Sequence, residues 1–233
     1  MKRVNVVTEG QSEMFFVKNV LNPYFNGRLI LDARPVLTSR DNKTNYEYRG
    51  GLRDYAKPKK DICNWLLADK NAYVSTMFDF FRLPDDFPGY AEALKLPTHL
   101  AQVEFLERKL KEDILNADEL RDIRPNRFLP YIQLHEFESL LYTDISVLKY
   151  DFLDPNDAER IDCLCADTRN IPPEDINNGP ETAPSKRLLK AVAYQKGDAP
   201  SEWLETIGVK AIKAKCPHFS AWLDFLRLLA QSP

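Results

Sequence analysis

Val4-Asn5-Val6-Val7-Thr8-Glu9-Gly10-Gln11-Ser12-Glu13 is the stretch that decides the fold. An apolar run enters a carboxylate, then a glycine, then polar residues able to open a helix. That order describes a buried strand ending in a tight strand-to-helix turn, with Glu9 at the strand's carboxyl end. In an open α/β sheet this end lies on the rim where ligands bind. Glu13 follows one helical turn later. Two readings are open for the pair: Glu9 as a solvated rim residue with Glu13 complementing the positive helix start, or two members of a site.

Working outward, strand-like and helix-like patterns alternate over the first 140 residues. Arg3 to Glu9 reads as a strand, and Ser12 to Leu21 as a helix ended by Asn22-Pro23. Leu29 to Leu37 reads as a second strand, and Asn42 to Gly51, with Tyr46 and Tyr48, as a polar loop. Leu52 to Ala68 is helical, with Pro58 expected to break or kink it. Tyr73 to Asp79 is a compact apolar strand ending in an acid, and Arg82 to Gly89 is rich in turn residues. Thr98 to Leu115 has helical periodicity, with Leu100, Val103, Leu106, Leu110 and Ile114 on the apolar side. Phe128 to Leu134 is a fourth apolar strand. The alternation predicts an α/β fold with a mostly parallel central sheet of about four strands flanked by helices.

Beyond Tyr142 the strand signal fades. Asp157 to Asp167, Ser185 to Gln195, Ser201 to Ile207 and Pro217 to Leu229 read as helices, and Arg169 to Pro184 as a linker. The expected organisation is an α/β domain over residues 1–142 and a C-terminal helical region, 143–233, packed on it.

Composition narrows the function classes. The chain has 233 residues, 44% hydrophobic and 29% charged, the balance of an ordinary globular protein. No stretch approaches the roughly 18 apolar residues of a membrane span. Met1-Lys2-Arg3 leads into the first strand without a signal-peptide core, so cytoplasmic residence is expected. Cys63, Cys163, Cys165 and Cys216 form no CxxC pair, and Cys163 and Cys165 read as packing thiols. The net charge of -3 carries no global basic signature for nucleic acid. Pro184 to Arg227 holds eight Lys/Arg against four Asp/Glu, a phosphate-facing surface or simply a solvated helix face. No GxxxxGK[ST] motif is present, which sets aside P-loop ATPase activity.

Three predicted strands end in acids: Glu9, Asp79, and Glu136 with Glu138. In a parallel sheet these ends share one edge, and the i, i+2 pair points to one face where the chain stays extended. Converging carboxylates raise one another's pKa values. A hard divalent cation such as Mg²⁺ or Mn²⁺ relieves that repulsion and can polarise a phosphoryl oxygen and activate water. The simpler alternatives are Asp79 capping the following turn, Glu138 as a surface acid and His135 as a satisfied core histidine.

Thr8-Glu9-Gly10-Gln11-Ser12-Glu13 resembles the first motif of TOPRIM domains, in the version found in OLD-family nucleases, where an acid recurs four residues later. Met77-Phe78-Asp79-Phe80-Phe81 stands in the place of the DxD motif, and Leu134-His135-Glu136-Phe137-Glu138-Ser139-Leu140-Leu141 resembles a later motif with two acids. With Glu181-Thr182-Ala183-Pro184-Ser185-Lys186-Arg187-Leu188, the set resembles small standalone TOPRIM-like proteins of unknown function, some encoded beside ATPases in defence loci. The resemblance implies a TOPRIM-like fold, Glu9 as metal ligand or general acid/base, and Asp79 as principal metal ligand. It implies Glu13, Glu136 and Glu138 completing one or two Mg²⁺ or Mn²⁺ sites, and Lys186 neutralising charge on the scissile phosphate, its alternative being an exposed helix lysine. The departure is Phe81, which replaces the second DxD acid and cannot bind metal.

Two functions are expected from this. One is a metal-dependent nuclease or nickase acting on nucleic acid, DNA ahead of RNA, with an ATPase partner of the ABC or SMC type. The other is a catalytically silent TOPRIM-like subunit that regulates such an ATPase. A third, a binder of a small phosphorylated ligand, uses the same acid edge.

Overall fold

The computed structural model describes residues 1–40, 47–176, 179, 181–194 and 197–231, with backbone alone at 38–40 and 47–49. The opening valines form β1 (Lys2–Thr8), whose last five residues are all buried. Val4 and Val6 enter one hydrophobic core and Val7 another on the opposite face. Burial on both faces is why its valines at 4, 6 and 7 do not keep to one side in a strict polar/apolar alternation.

β1 pairs in parallel with β2 (Leu29–Pro35) on one side and β5 (Tyr73–Asp79) on the other. Between β2 and β5 lies an antiparallel ribbon of β3 (Leu37–Arg40) and β4 (Glu47–Arg49). The second strand therefore stops at Pro35, and the expected polar loop is in part a ribbon; Tyr46 lies outside the described residues. The fourth expected strand is two pieces on the far edge of β5, namely β6 (Phe128–Leu129) and β7 (Ile132–Gln133), both parallel to it. Pro130 separates them and donates no N–H. Side chains of β5 bridge the gap: Ser75 Oγ donates to Leu129 O, while Thr76 Oγ1 donates to Tyr131 O and accepts from Tyr131 N–H. The order β2-β1-β5-β6, with every pairing parallel, bears out the α/β fold and its parallel central sheet.

Helices cover both faces. α1 (Gln11–Phe15) runs into a π turn (Phe16–Leu21) and then α2 (Asn22–Tyr24), so Asn22-Pro23 does not end the segment. The π turn shifts the hydrogen-bond frame, and Pro23 falls in the first residues of a new turn, where no bond is lost. Asn22 Oδ1 accepts the N–H of Leu31. α3 (Ala56–Ala68) begins four residues later than expected, which puts Pro58 in its first turn; no kink is needed there. After the short α4 (Tyr90–Ala93) comes α5 (His99–Leu115), which buries Val103, Leu106, Leu110 and Ile114 but leaves Leu100 exposed in the first turn.

The C-terminal helices are α6 (Pro155–Thr168), α7 (Pro184–Ala191), α8 (Ala199–Ile207), α9 (Val209–Lys215) and α10 (Pro217–Gln231). Ile161, Leu188, Leu204, Ile212 and Phe219 share one core with Phe16, Val17 and Met77, so this region is packed on the sheet. α9 is an element the sequence reading missed. Two of its three lysines are engaged: Lys213 pairs with Asp224, and Lys215 donates to Thr143 O. All four cysteines are free; Cys165 packs against the core, whereas Cys163 is exposed rather than buried as expected. Among the described residues no helix is long and apolar enough to cross a membrane.

A buried ion pair ties α10 to the sheet. His218 Nε2 lies 3.1 Å from Glu107 Oε1 and 3.1 Å from Ile132 O, and its ring stacks on Tyr131. Burial pushes this imidazole down, but Glu107 outweighs it and holds His218 above its ordinary value. The folded state thus binds the proton more tightly than the unfolded chain. The stabilisation is complete below pH about 6.5 and is lost as pH rises through the raised value. Melting temperature should fall over that alkaline range, and His218→Gln should flatten the fall; an equal slope in both proteins contradicts it.

Candidate functional site

The topology sets the place. From β1 the chain goes outward to β2, then crosses to β5 on the other side of β1, so the β1/β5 carboxyl ends flank a topological switch point. Glu9 follows β1 and Asp79 closes β5. The ladder continues between them: Glu9 N–H donates to Met77 O, and Asp79 N–H donates to Glu9 Oε2 at 3.3 Å. Gly51, held at φ +81°, donates its N–H to Glu9 O.

Glu13 comes from the first turn of α1, where its Oε2 accepts the Gly10 N–H at 2.9 Å. A Cβ at residue 10 would stand 3.1 Å from that oxygen, so the bare glycine makes room for the carboxylate. Asp79 Oδ1 accepts the Phe137 N–H at 2.8 Å. Together Glu9, Glu13, Asp79 and Glu138 line a cavity of about 310 Å³, with Arg82, the Gly10–Ser12 turn, Gly51 and Gly197.

Electrostatics register the convergence. Burial, then Glu13, push the Glu9 carboxyl up to about 8, while the Asp79 N–H and Arg82 act against the rise. Asp79 is raised well above the carboxylate range, first by burial and then by Glu9, Glu13, Glu138 and Glu136 in that order. Five acids from three separate stretches of the sequence therefore share one field.

The i, i+2 pair does not stay on one face. Glu136 is extended, but Phe137 opens a 3-10 turn (Phe137–Thr143), which turns the two side chains apart. Glu138 lines the cavity and lies 3.4 Å from the Tyr194 hydroxyl. Glu136 points to α7, where its Oε2 accepts the Ser185 N–H at 2.9 Å. It acts as a cap there and does not line the cavity. Lys186, the next residue, is exposed on α7 and is also absent from the cavity wall. The cation that does line it is Arg82, in the turn after β5. Sequence reading missed Arg82 because a single arginine after two phenylalanines has no diagnostic spacing. His135 is buried in the left-handed region, and among the described residues neither ring nitrogen has a hydrogen-bond partner, so it is not the satisfied core histidine of the simpler reading.

The donors are all carboxylate oxygens, a set suited to Mg²⁺ or Mn²⁺. Among the described residues no three ligating side chains stand at metal-binding spacing. Glu9, Glu13 and Asp79 are instead held on backbone N–H groups. Larger clefts among the described residues lie beside β2, about 780 Å³, at Tyr142–Ile145, about 490 Å³, and between α6 and α7, about 400 Å³. The acids of the first are paired, Asp32 with Lys18 and Asp69 with Arg3.

Fold and site together define an α/β protein with a carboxylate-lined cavity at the switch point of a parallel sheet. The chain belongs to the family described as a domain of unknown function, DUF4276, whose model matches residues 8–227. No curated protein matches the chain. No solved structure does either.

Proposed function

We propose that the protein is a metal-dependent phosphodiesterase, a nuclease or nickase acting on nucleic acid, DNA ahead of RNA, in the cytoplasm. The observation that carries this reading is the meeting of Glu9, Glu13, Asp79 and Glu138, from three chain segments, on one cavity with Arg82. Their mutual repulsion makes the metal-free cavity electrostatically unfavourable, which is what a divalent cation relieves. Asp79 and Glu13 would hold Mg²⁺ or Mn²⁺ with Glu138, and Glu9 completes the set or takes the proton from the attacking water. Bound there, the ion would supply polarisation of a phosphoryl oxygen and a more acidic water.

The residues of this chain divide the remaining work. Glu9, raised to about 8, is matched to proton transfer near neutral pH. The Asp79 N–H orients its carboxylate. Arg82 offers a guanidinium fork for non-bridging oxygens of the phosphate. Glu136 steadies α7 and through it the Glu138 segment. The resemblance to TOPRIM and OLD-type motifs supports the same chemistry, and an ATPase partner in a defence system follows from that resemblance alone.

A second reading, a silent subunit regulating an ATPase, is favoured by Phe81 in place of the second acid and by Glu136 being used as a helix cap. Incubation with plasmid DNA and with RNA in Mg²⁺ or Mn²⁺ separates the two. Metal-dependent nicking that is lost in Glu9→Ala and Asp79→Ala is expected. Cleavage surviving both substitutions contradicts the assigned site, and no cleavage with any metal or partner ATPase favours the silent subunit.

A further inference from the structure

Beside the carboxylate cavity stands a cluster of rings that the proposed chemistry does not use. Phe81 is 41% exposed although the other apolar residues beside it, Phe80 and Leu83, are buried. Its backbone is pinned by its N–H to His135 O at 3.2 Å. Its ring rests on His135 at 5.3 Å and meets the edge of the exposed His99 at 6.3 Å. His99 in turn stands perpendicular to His135 at 4.7 Å. Support from beneath and from one side fixes the Phe81 ring and leaves its remaining surface in water.

Two observations point to what covers that surface. The next residue, Arg82, lines the cavity, so an exposed ring and a cation alternate along the rim toward the acids. Bases and phosphates alternate in the same way along a nucleic-acid strand. The imidazole roofed by Phe81 and His99 is buried, and among the described residues neither of its nitrogens has a hydrogen-bond partner. Such a group calls for a ligand carrying donors and acceptors. A base has both, along with a flat face for stacking.

We propose that Phe81 and His99 form a base-stacking platform at the mouth of the cavity, with Arg82 taking the adjoining phosphate, so that the substrate strand is unpaired where it reaches the acids. A base inside a duplex has both faces covered by its neighbours, whereas a single strand, a frayed end or an extruded nucleotide offers one. This rests on the nuclease reading for the identity of the strand. It also gives a role to Phe81, which stands where the resembled DxD motif carries its second acid.

The test is fluorescence anisotropy of a short labelled single strand and of its blunt duplex with the full chain in Ca²⁺, beside Phe81→Ala, Phe81→Trp and His99→Ala. The single strand should bind more tightly than the duplex. Removing one stacking ring should weaken it by roughly 5- to 100-fold, with Phe81→Trp close to wild type. Thermal melting shows whether the alanine variants remain folded, and the tryptophan variant keeps the test valid if they do not. Binding unchanged in a folded Phe81→Ala, or equal for duplex and single strand, overturns the platform and leaves the rim to a protein partner. Phe81-dependent binding without cleavage in any metal keeps the platform and removes the nuclease reading. Metal-dependent cleavage with an unchanged KM for single strands in Phe81→Ala does the reverse.

Discussion

Asp79→Asn is expected to make the metal-free protein more stable at pH 8 while abolishing metal-dependent cleavage. Asp79 is buried and surrounded by four other acids, which hold its pKa well above the ordinary 3.8. An acid whose pKa is raised by folding contributes stability that is complete below the unfolded value and drains away as pH climbs through the folded one. Asparagine has no proton to lose and keeps the oxygen that accepts the Phe137 N–H. A higher melting temperature at pH 8, the gain vanishing near pH 4, is therefore expected by differential scanning calorimetry. Losing an outer-shell partner of a metal costs about 10- to 100-fold, so loss of a direct ligand should lower cleavage by more than about 100-fold. A variant both less stable at pH 8 and fully active would remove Asp79 from the site.

Glu9→Gln carries the second large effect. Glutamine preserves an acceptor for the Asp79 N–H but cannot take a proton, and general-base loss costs about 10²- to 10⁴-fold. Because the Glu9 carboxyl stands at about 8, wild-type activity should rise with pH toward that value at fixed metal. A bound cation favours the ionised form and draws the rise to lower pH as its concentration increases. In Glu9→Gln that limb should be missing from the residual rate. The double variant Glu9→Gln/Asp79→Asn should gain less metal-free stability than the two single gains added, since each carboxylate raises the other. A wild-type rate independent of pH between 6 and 9 would rule Glu9 out as the proton acceptor.

β1 and β5 were legible because burial on both faces writes them as largely apolar runs bounded by turn residues. The acids at the β1 and β5 ends were legible for the same reason: each interrupts such a run where a parallel sheet presents its carboxyl edge. Local exceptions hid the rest. Pro58 suggests a kink only until the helix start is known to be Ala56. The Glu136/Glu138 spacing suggests a shared face, yet the 3-10 turn from Phe137 sends one acid to the cavity and the other to α7. That partner, the Ser185 N–H, lies 49 residues away and is a backbone group, which leaves no mark in the side-chain sequence. Lys186 drew attention by its motif, whereas Arg82 owes its place to geometry alone. His135 takes a left-handed conformation unusual for a side-chain-bearing residue, and nothing in its neighbours announces it.

The central claim is that the acids of the β1/β5 edge form a divalent-cation site. Calorimetric titration of Mn²⁺ into the wild-type chain and into Asp79→Asn at pH 8 tests it directly. Saturable binding to the wild type, with proton release and a raised melting temperature, and none to Asp79→Asn, is the expected result. Equal binding to both proteins, or none to either, would contradict it.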